Sequence, residues 1–294
     1  MLFVSLFAFS ECKDLNSNCE VWSMDNGCES NSGYMYNHCK KSCFICDYDC
    51  EKATNNFETN FLNKRFSSIE ENYNVSFLSR DPWVVMFPDF LKGNESDHLI
   101  SLCGDTFVRS EAGISTISSA RTSSQCWCMT PNCEDDYILK NIEKRISNIV
   151  DLPVKNSEFF QILKYTENQY YHRHHDQNCH HDSIQGARTL TFFIYLSDVE
   201  EGGETYFDQL NILVKPKKNT AILWNSIKDN EYGVNEPKTS HEAKKVTKGT
   251  KYAANLWFHT RNFRSPHRIC RNLSVDNSYD VSKKEVFGNT KDEL

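Results

Sequence analysis

The residues best suited to chemistry lie in the histidine-rich segment from Tyr165 to Asp176 and in a later part of the chain. His174 and Asp176 are two residues apart, so a β-strand would point both side chains to the same side. His241 follows as a third candidate ligand. Two histidines and one carboxylate on one face of a metal are the ligand set of mononuclear non-haem iron. The sequence therefore predicts an Fe(II) site at His174, Asp176 and His241.

The histidines around this pair leave a second ligand set open. These neighbours are His172, His175, His180 and His181. A pair formed by His172 and His174 could also bind a metal. The two-residue spacing to Asp176 and the Tyr-rich lead-in favour His174 with Asp176. The other histidines are expected at the surface or as hydrogen-bond partners of the ligands.

Lys251 is the next residue whose position suggests a function. Strand alternation in KYAANLWFH places Lys251, Ala253, Asn255 and Trp257 on one face. A lysine aligned with a tryptophan inside a barrel is costly unless an anion meets it. The alternative is a lysine on an edge strand that faces solvent. The spacing favours an anion site, since a dicarboxylate that chelates iron at one end needs a cation at its other end.

The elements that must position these residues change along the chain. Helices are predicted around residues 56–71, over 94–103 and after Pro131, where Ile138, Ile142, Ile146 and Ile149 form one apolar stripe. A strand is predicted at 81–88, and short β-rich runs separated by tight turns follow residue 157. This order predicts an α+β fold with a jelly-roll core, a double-stranded β-helix, and supporting helices.

Size and charge limit the classes of protein. The 294 residues allow one sizeable catalytic core and a small module. The net charge of −7 and the pI near 5.8 argue against nucleic acid as a main partner. No apolar run approaches the roughly 20 residues that cross a bilayer.

Both ends of the sequence carry features of a secreted or lumenal protein. The apolar run in residues 1–10 has the length of a signal-peptide core, and a buried first strand is the alternative. The chain finishes with Lys-Asp-Glu-Leu at 291–294, the address read by the KDEL receptor. Sequons occur at Asn74, Asn94 and Asn272. Together with 13 cysteines, these features predict a soluble glycoprotein of the endoplasmic reticulum lumen.

Residues 11–47 hold a dense group of cysteines. Its six members are Cys12, Cys19, Cys28, Cys39, Cys43 and Cys46. So few aliphatic residues lie between them that disulfides must hold the module together, and 15 connectivities are open. Zinc at Cys39, Cys43 and Cys46 is a less favoured alternative.

The Cys12-Lys-Asp14 start, Trp22 after Cys19 and the closing CKKSCFIC segment resemble the ShK toxin-like domain. The resemblance implies the pairs Cys12–Cys46, Cys19–Cys39 and Cys28–Cys43. Some members of that family block potassium channels. An accessory or substrate-contacting role is favoured here.

The remaining cysteines and boundaries are less defined. Residues 48–80 are interpreted as a linker and 263–294 as a C-terminal tail. Cys126, Cys128 and Cys133 are expected to include a disulfide that stiffens the loop before the long helix. No pairing follows for Cys50, Cys103, Cys179 or Cys270, and an odd total leaves at least one cysteine free or paired between chains.

Residues 81–262 resemble the catalytic domain of prolyl 4-hydroxylases, members of the 2-oxoglutarate, Fe(II)-dependent dioxygenase superfamily. The matching segments are RTSS at 121–124, YTENQYYHRHHD at 165–176, RTLTFFIYLSDVEEGGET at 188–205, and His241, Lys251 and Trp257 at the family's closing spacing. Asn168 stands where the family pattern has glycine, which puts one turn before the ligands in doubt.

The resemblance assigns a role to each residue at a matching position. His174, Asp176 and His241 would hold Fe(II). Lys251 would pair with the distal carboxylate of 2-oxoglutarate, aided by the hydroxyls of Tyr165 and Thr205. The residues implied on the peptide side are Arg121, Tyr171, Arg188 and Trp257.

The activity implied is 4-hydroxylation of peptidyl proline with O2 and 2-oxoglutarate, giving succinate and CO2, with L-ascorbate as a further requirement. A proline-rich or collagen-like peptide would already be extended when it binds an aromatic groove. A lysyl hydroxylase of the same superfamily is the first alternative, although that branch usually has arginine in place of Lys251. An inactive barrel that binds through the ShK-like module is the second. The terminal KDEL suggests that no partner subunit is obligatory.

Overall fold

The computed structural model describes residues 13–24, 27–31, 34–35, 38–43, 60–111, 117–177, 185–231 and 233–264. Within these ranges the α-helices are α1 (Cys19–Met24), α2 (Gly27–Ser30), α3 (Phe61–Asn72), α4 (Glu95–Cys103), α5 (Pro131–Glu134) and α6 (Tyr137–Val150). Short 3-10 turns occur at Val154–Asn156, Asp208–Leu210 and Pro237–Thr239. None of the described helices has the length and apolar character that a bilayer span requires.

The strands are numbered in chain order. They are β1 (Ser76–Arg80), β2 (Trp83–Phe87), β3 (Val108–Arg109), β4 (Ser124–Trp127), β5 (Gln161–Tyr165), β6 (Tyr171–His174), β7 (Arg188–Tyr195), β8 (Glu201–Gly202), β9 (Thr205–Phe207), β10 (Ile212–Val214), β11 (Ala221–Asn225), β12 (His241–Ala243), β13 (Val246–Lys248) and β14 (Lys251–His259). The large sheet has the order β1-β2-β11-β7-β14-β5-β4-β3, and a smaller sheet has the order β10-β9-β12-β6. Strands β13 and β8 form a further pair. This is the jelly-roll core with supporting helices that the sequence predicts.

The large sheet separates two apolar clusters, and β14 shows how one strand serves both. Ala254, Leu256 and Phe258 belong to the cluster that includes the buried faces of α3, α4 and α6. Ala253 belongs to a second cluster, shared with β9 and β10 of the small sheet. Because strand side chains alternate, the same alternation sends Lys251 toward the second cluster.

Helix α6 forms where its local signals predict. The Asp136 carboxylate accepts a hydrogen bond from Leu139 N at 2.8 Å and so caps the first turn. Ile142, Ile146 and Ile149 are buried, as the apolar stripe predicts. The helix ends at Val150, and Asp151 after it adopts a left-handed conformation with φ 52°.

The folded domain extends beyond the boundaries that we set at residues 81 and 262. Helix α3 buries Leu62, Phe66 and Ile69 in the helical core cluster, and β1 pairs with β2 at the edge of the large sheet. At the other end, Arg264 forms an ion pair with Glu143 of α6. Residues 61–80 therefore belong to the fold, because their apolar positions are buried by it. Their polar composition had suggested a linker, although the helix predicted around residues 56–71 is present as α3.

Disulfides hold both parts of the chain. In the N-terminal module, Cys19 bonds to Cys39 and Cys28 to Cys43, which are two of the pairs that the ShK resemblance implies. The implied Cys12–Cys46 pair lies outside the described residues, as do Cys50, Cys179 and Cys270.

Two further disulfides involve the segment that precedes α6. Cys128 bonds to Cys133, and Cys126 bonds to Cys103, for which the sequence suggested no partner. The second bond ties the end of α4 to β4.

Candidate iron and co-substrate site

The three predicted ligands meet where β6 and β12 of the small sheet pair. His174 and His241 are direct partners in this antiparallel register. Strand β6 ends at His174, so Asp176 lies in the turn that follows rather than on the strand that we predicted for both residues. The turn still brings the Asp176 carboxylate between the two rings.

The distances suit three ligands around a cation. Asp176 Oδ1 lies 3.8 Å from His174 Nε2 and 3.9 Å from His241 Nε2. These separations are too long for hydrogen bonds. The Nδ1 atom of His174 lies 2.9 Å from the His172 carbonyl, and that of His241 lies 3.0 Å from the Thr239 carbonyl. A carbonyl at Nδ1 fixes the tautomer that leaves a lone pair on Nε2.

The charge state of the ligands also fits Fe(II). Burial and the neighbouring His241 lower the pKa of His174 to about 3. Burial opposes ionisation of Asp176, but His241, His174 and the Thr191 hydroxyl outweigh it and lower its pKa to about 2. Thr191 donates to Asp176 Oδ2 at 2.7 Å. A neutral imidazole and an ionised carboxylate are the forms that bind metal, so the donor set is ready near neutral pH.

The alternative ligand pair is not brought together. His172 is exposed, and its ring lies against Tyr170 with centroids 4.5 Å apart. His175 Nε2 lies 2.9 Å from the Glu236 carbonyl. His180 and His181 are outside the described residues. Within the part of the chain that is described, the histidine and carboxylate atoms close enough to share one metal are those of His174, Asp176 and His241, all within 4.8 Å of one another.

Lys251 is completely buried inside the barrel. It begins β14, which lies between β7 and β5 in the large sheet, so the solvent-facing edge position is excluded. Its Nζ donates to the Gly203 carbonyl at 2.7 Å and lies 5.3 Å from the Tyr165 ring centroid and 5.4 Å from that of Phe193. No carboxylate forms an ion pair with it among the described residues. Burial lowers the pKa of Lys251 to about 7, with Glu204 opposing.

Two hydroxyls expected to bind 2-oxoglutarate have protein partners. Thr205 Oγ1 accepts from the hydroxyl of Tyr195 at 2.7 Å. The Tyr165 hydroxyl interacts with Ser123 and Arg121, and burial raises its pKa. Tyr195, which the sequence did not single out, is fully buried with its ring centroid 5.5 Å from Lys251 Nζ. Strand parity in TLTFFIYL would have indicated it.

Arg188 and Trp257 belong to a buried network beside Asp176. Arg188 donates to both oxygens of Glu158, and its Nη1 donates to the Asp176 carbonyl at 3.2 Å. Its guanidinium stacks on Trp257, 4.3 Å from the ring centroid. His259 Nε2 lies 2.8 Å from Glu158 Oε1. The network holds in place the backbone of Asp176, a candidate metal ligand, and the Trp257 side chain.

Glu158 and His259 were missed by the sequence reasoning. His259 follows Trp257 by two residues on the same strand and could have been found by parity. Burial disfavours the charged form of Glu158, but Arg188 and His259 outweigh it and lower its pKa to about 2. The group therefore stays ionised and keeps Arg188 in place.

Arg121 and Tyr171 lie together on the other side of the ligands. The Arg121 guanidinium lies 4.7 Å from the Tyr171 ring centroid, and that ring stacks on His174 at 3.6 Å. The Arg121 nitrogens donate to Ser123 Oγ, the Glu111 carbonyl and Gln161 Oε1. Since these acceptors are protein atoms, the geometry points to orientation of Tyr171 as the direct effect of Arg121.

The Asn168 departure from the family pattern has a local explanation. Asn168 adopts φ 67°, the left-handed region that glycine enters freely and asparagine enters more readily than other residues. Its backbone N donates to the Val246 carbonyl at 2.8 Å, which ties the turn to β13. Asparagine therefore preserves the turn.

We expect Asn168→Ala to lower the free energy of unfolding by about 1 kcal/mol, because alanine is strained at positive φ. Asn168→Gly should cause no such loss. Urea unfolding of both variants is the measurement. Asn141→Ala, at an exposed position of helix α6, is the matched control and should be neutral or stabilising. Equal stability of the Ala and Gly variants at 168 would contradict the explanation.

The sequence matches two known protein families and several known proteins. Residues 160–259 match the 2OG-Fe(II) oxygenase superfamily, and residues 11–46 match the ShK domain-like family. Prolyl 4-hydroxylase 5 of Arabidopsis thaliana is 33% identical over 217 residues, covering 65% of this chain and 72% of the plant protein. Prolyl 4-hydroxylase subunit alpha-2 of Gallus gallus is 30% identical over 198 residues, covering 63% of this chain and 36% of the subunit.

A solved structure is also similar. The viral collagen prolyl hydroxylase of Paramecium Bursaria Chlorella virus-1, in its 2OG complex, is 28% identical with a TM-score of 0.48. The alignment covers 60% of this chain and 95% of the viral chain.

The jelly roll, the His-Asp-His site and the family match define a 2-oxoglutarate-dependent Fe(II) dioxygenase. Within that class, the 33% sequence identity to the plant prolyl 4-hydroxylase, over 72% of that enzyme's length, identifies the family. The chain belongs to the prolyl 4-hydroxylase family and carries an N-terminal ShK-like module.

Proposed function

We propose that this protein hydroxylates C4 of proline in peptides, with one 2-oxoglutarate and one O2 consumed and one succinate and one CO2 released per hydroxyproline. His174, Asp176 and His241 hold Fe(II), and Lys251 binds the distal carboxylate of 2-oxoglutarate. L-ascorbate serves as the reductant that keeps the iron in its Fe(II) form. The substrate is a proline-rich or collagen-like chain.

The observation that carries the proposal is the pairing of the three ligands with a buried lysine that has no carboxylate partner among the described residues. Phe193, whose ring lies 5.4 Å from Lys251 Nζ, also contacts Trp224, which packs against His241. The cation and the ligands therefore share one aromatic-lined interior. A dicarboxylate can meet the iron at one end and Lys251 at the other.

The protein's own residues supply binding and orientation. Bound iron, with 2-oxoglutarate, supplies the oxidising power that an unreactive C–H bond requires. Tyr171, whose ring stacks on His174, is the aromatic surface that we assign to proline, and Arg188 holds the buried Trp257 ring and the Asp176 backbone in place. A polyproline II segment loses little entropy when it docks on such surfaces.

The most informative experiment is mass spectrometry of peptides incubated with the protein, Fe(II), 2-oxoglutarate and ascorbate. The panel contains proline-rich peptides, the same peptides with alanine at each proline, and lysine-containing collagen-like peptides. Hydroxyproline formed together with an equal amount of succinate supports the proposal. Hydroxylysine alone would assign the protein to lysyl hydroxylation. Absence of any product while peptides bind would favour an inactive barrel.

The pH dependence of co-substrate binding gives a further prediction. Because burial lowers the pKa of Lys251 to about 7, the free enzyme loses this positive charge as the pH rises through that value. We expect the KM for 2-oxoglutarate to be nearly constant below pH 7 and to increase by up to about tenfold per pH unit above it.

Steady-state titration of 2-oxoglutarate from about pH 6.5 to 8.5 tests this expectation. Lys251→Arg is the control, since arginine keeps its charge over this range and should remove the pH dependence. If the KM of the wild type for 2-oxoglutarate did not change with pH, Lys251 would not be the residue that binds the anion.

The compartment and the accessory module are part of the proposal. Paired cysteines in both parts of the chain support an oxidising compartment, and the KDEL sequence at 291–294 supports the endoplasmic reticulum lumen and its KDEL receptor. Asn74 and Asn94, both exposed, are the sequons available for glycosylation within the described residues. We assign the ShK-like module an accessory or substrate-contacting role, with no obligatory partner subunit.

A further inference from the structure

The indole N–H of Trp224 is a buried donor without an acceptor. Trp224 is 1% exposed, and its Nε1 has no hydrogen-bond partner in the described part of the chain. A buried donor that stays unpaired is destabilising, and native proteins rarely retain one without a function or a bound partner. Trp83 on the adjacent strand is half-buried, and its Nε1 donates to Asn63 Oδ1 at 2.8 Å, whereas the buried Trp257 Nε1 is also without a partner in the described part of the chain.

Trp224 lies next to the candidate iron ligands. In the large sheet it pairs with Thr191 of β7, the residue whose hydroxyl bonds Asp176. Its ring meets the ring of His241 edge-on, with centroids 4.9 Å apart and an interplanar angle of 68°. The side chain therefore belongs to the immediate wall of the metal site.

The same side chain also contacts a ring that lies beside Lys251. Trp224 contacts Phe193, with ring centroids 6.3 Å apart, and Phe193 lies beside Lys251 Nζ. Phe207 closes a further side of the indole at 5.3 Å. Trp224 therefore contacts both a ring of the metal ligands and a ring beside Lys251, the two points that would hold the ends of 2-oxoglutarate.

We propose that Trp224 Nε1–H donates a hydrogen bond to an oxygen of bound 2-oxoglutarate and is thereby a further protein contact for the co-substrate, beside Lys251. The inference rests on the proposed use of 2-oxoglutarate. The inference gives the unpaired donor a function. A bound anion with an oxygen beside Trp224 would accept this hydrogen bond, whereas a ligand of the same size without an acceptor there would leave the donor unpaired. A purely apolar ring at this position would fill the space but leave that oxygen unpaired.

The direct test follows the indole N–H signals of the ¹⁵N-labelled full chain by NMR, with diamagnetic Zn(II) in place of iron. The chain has 5 tryptophans, so single Trp→Phe variants assign the signals, by elimination if Trp224→Phe does not fold. We expect the Trp224 signal to shift downfield when 2-oxoglutarate is added. The Trp83 signal, which already has an acceptor, should stay in place.

Calorimetry with the same Zn(II)-loaded protein gives the energetic test. Trp224→Phe should raise the Kd for 2-oxoglutarate by roughly tenfold or more, because a hydrogen bond to a charged group is lost. Trp83→Phe is the matched control and should leave that Kd unchanged.

The outcomes separate this inference from the proposed function. If 2-oxoglutarate binds the wild type while the Trp224 signal does not move, the donor bonds to water or to nothing and the inference is overturned, whereas the dioxygenase proposal stands. If the wild type does not bind 2-oxoglutarate at all, both proposals fail.

Discussion

Alanine at His174 or at Asp176 should reduce the formation of both succinate and hydroxyproline to background. The three ligand atoms lie within 4.8 Å of one another, and removal of one leaves two, which hold Fe(II) too weakly for turnover. Both side chains lie where the small sheet ends, so the large apolar clusters are untouched. Thermal unfolding followed by circular dichroism should stay close to the wild-type curve, and product formation with saturating Fe(II) is the measurement.

His172→Ala is the matched control because it tests the ligand pair that the sequence left open. His172 is exposed, and its ring lies against that of Tyr170 with centroids 4.5 Å apart. We expect this variant to retain turnover and its iron requirement. Loss of activity in His172→Ala combined with activity in Asp176→Ala would replace the proposed ligand set by the alternative one.

Lys251→Met should raise the KM for 2-oxoglutarate by at least about thirtyfold, since loss of one partner of a buried charge pair costs about 2 kcal/mol or more. Methionine keeps the apolar stem among the rings of Tyr165, Phe193 and Tyr195. The melting temperature should be equal to or higher than that of the wild type, because a buried amine with a lowered pKa opposes folding wherever the unfolded lysine is protonated. Initial rates against 2-oxoglutarate concentration give the measurement.

Lys164→Met provides the control for that result. Lys164 belongs to the neighbouring strand β5 and also lies over aromatic rings, 5.7 Å from the Tyr252 centroid and 5.9 Å from that of Phe107. It faces the opposite side of the large sheet, so its loss should leave the 2-oxoglutarate requirement unchanged. A similar rise in KM for both variants would show a general effect of charge and would move the anion site away from Lys251.

Local patterns were sufficient for much of this protein. The alternation in β14 predicted the face that carries Lys251, because successive side chains of a strand point to its two opposite faces. The stripe of Ile142, Ile146 and Ile149 predicted the buried face of α6, because a helix repeats every 3.6 residues. Two disulfides of the N-terminal module followed from the family resemblance.

Contacts between distant segments were not accessible in the same way. Residues 48–80 were interpreted as a linker because their composition is polar, although a helix was predicted around residues 56–71, and three side chains of that helix, α3, are buried by the fold. The Cys103–Cys126 bond joins a helix to a strand and depends on how α4 packs. Glu158, His259 and Tyr195 acquire their roles from partners elsewhere in the chain.

The sequence by itself predicted the candidate ligands and the class of chemistry, from residue types and the resemblance to a known family, and it predicted the face of Lys251 from strand alternation. The tertiary structure decided which histidines meet Asp176, by placing His241 opposite His174 in the small sheet. It also decided that Lys251 is buried without a carboxylate partner among the described residues and that Trp224 has an unpaired N–H beside His241. Burial and charge environment are properties of the packed barrel, since many segments distant in sequence must assemble before any of these groups leaves water.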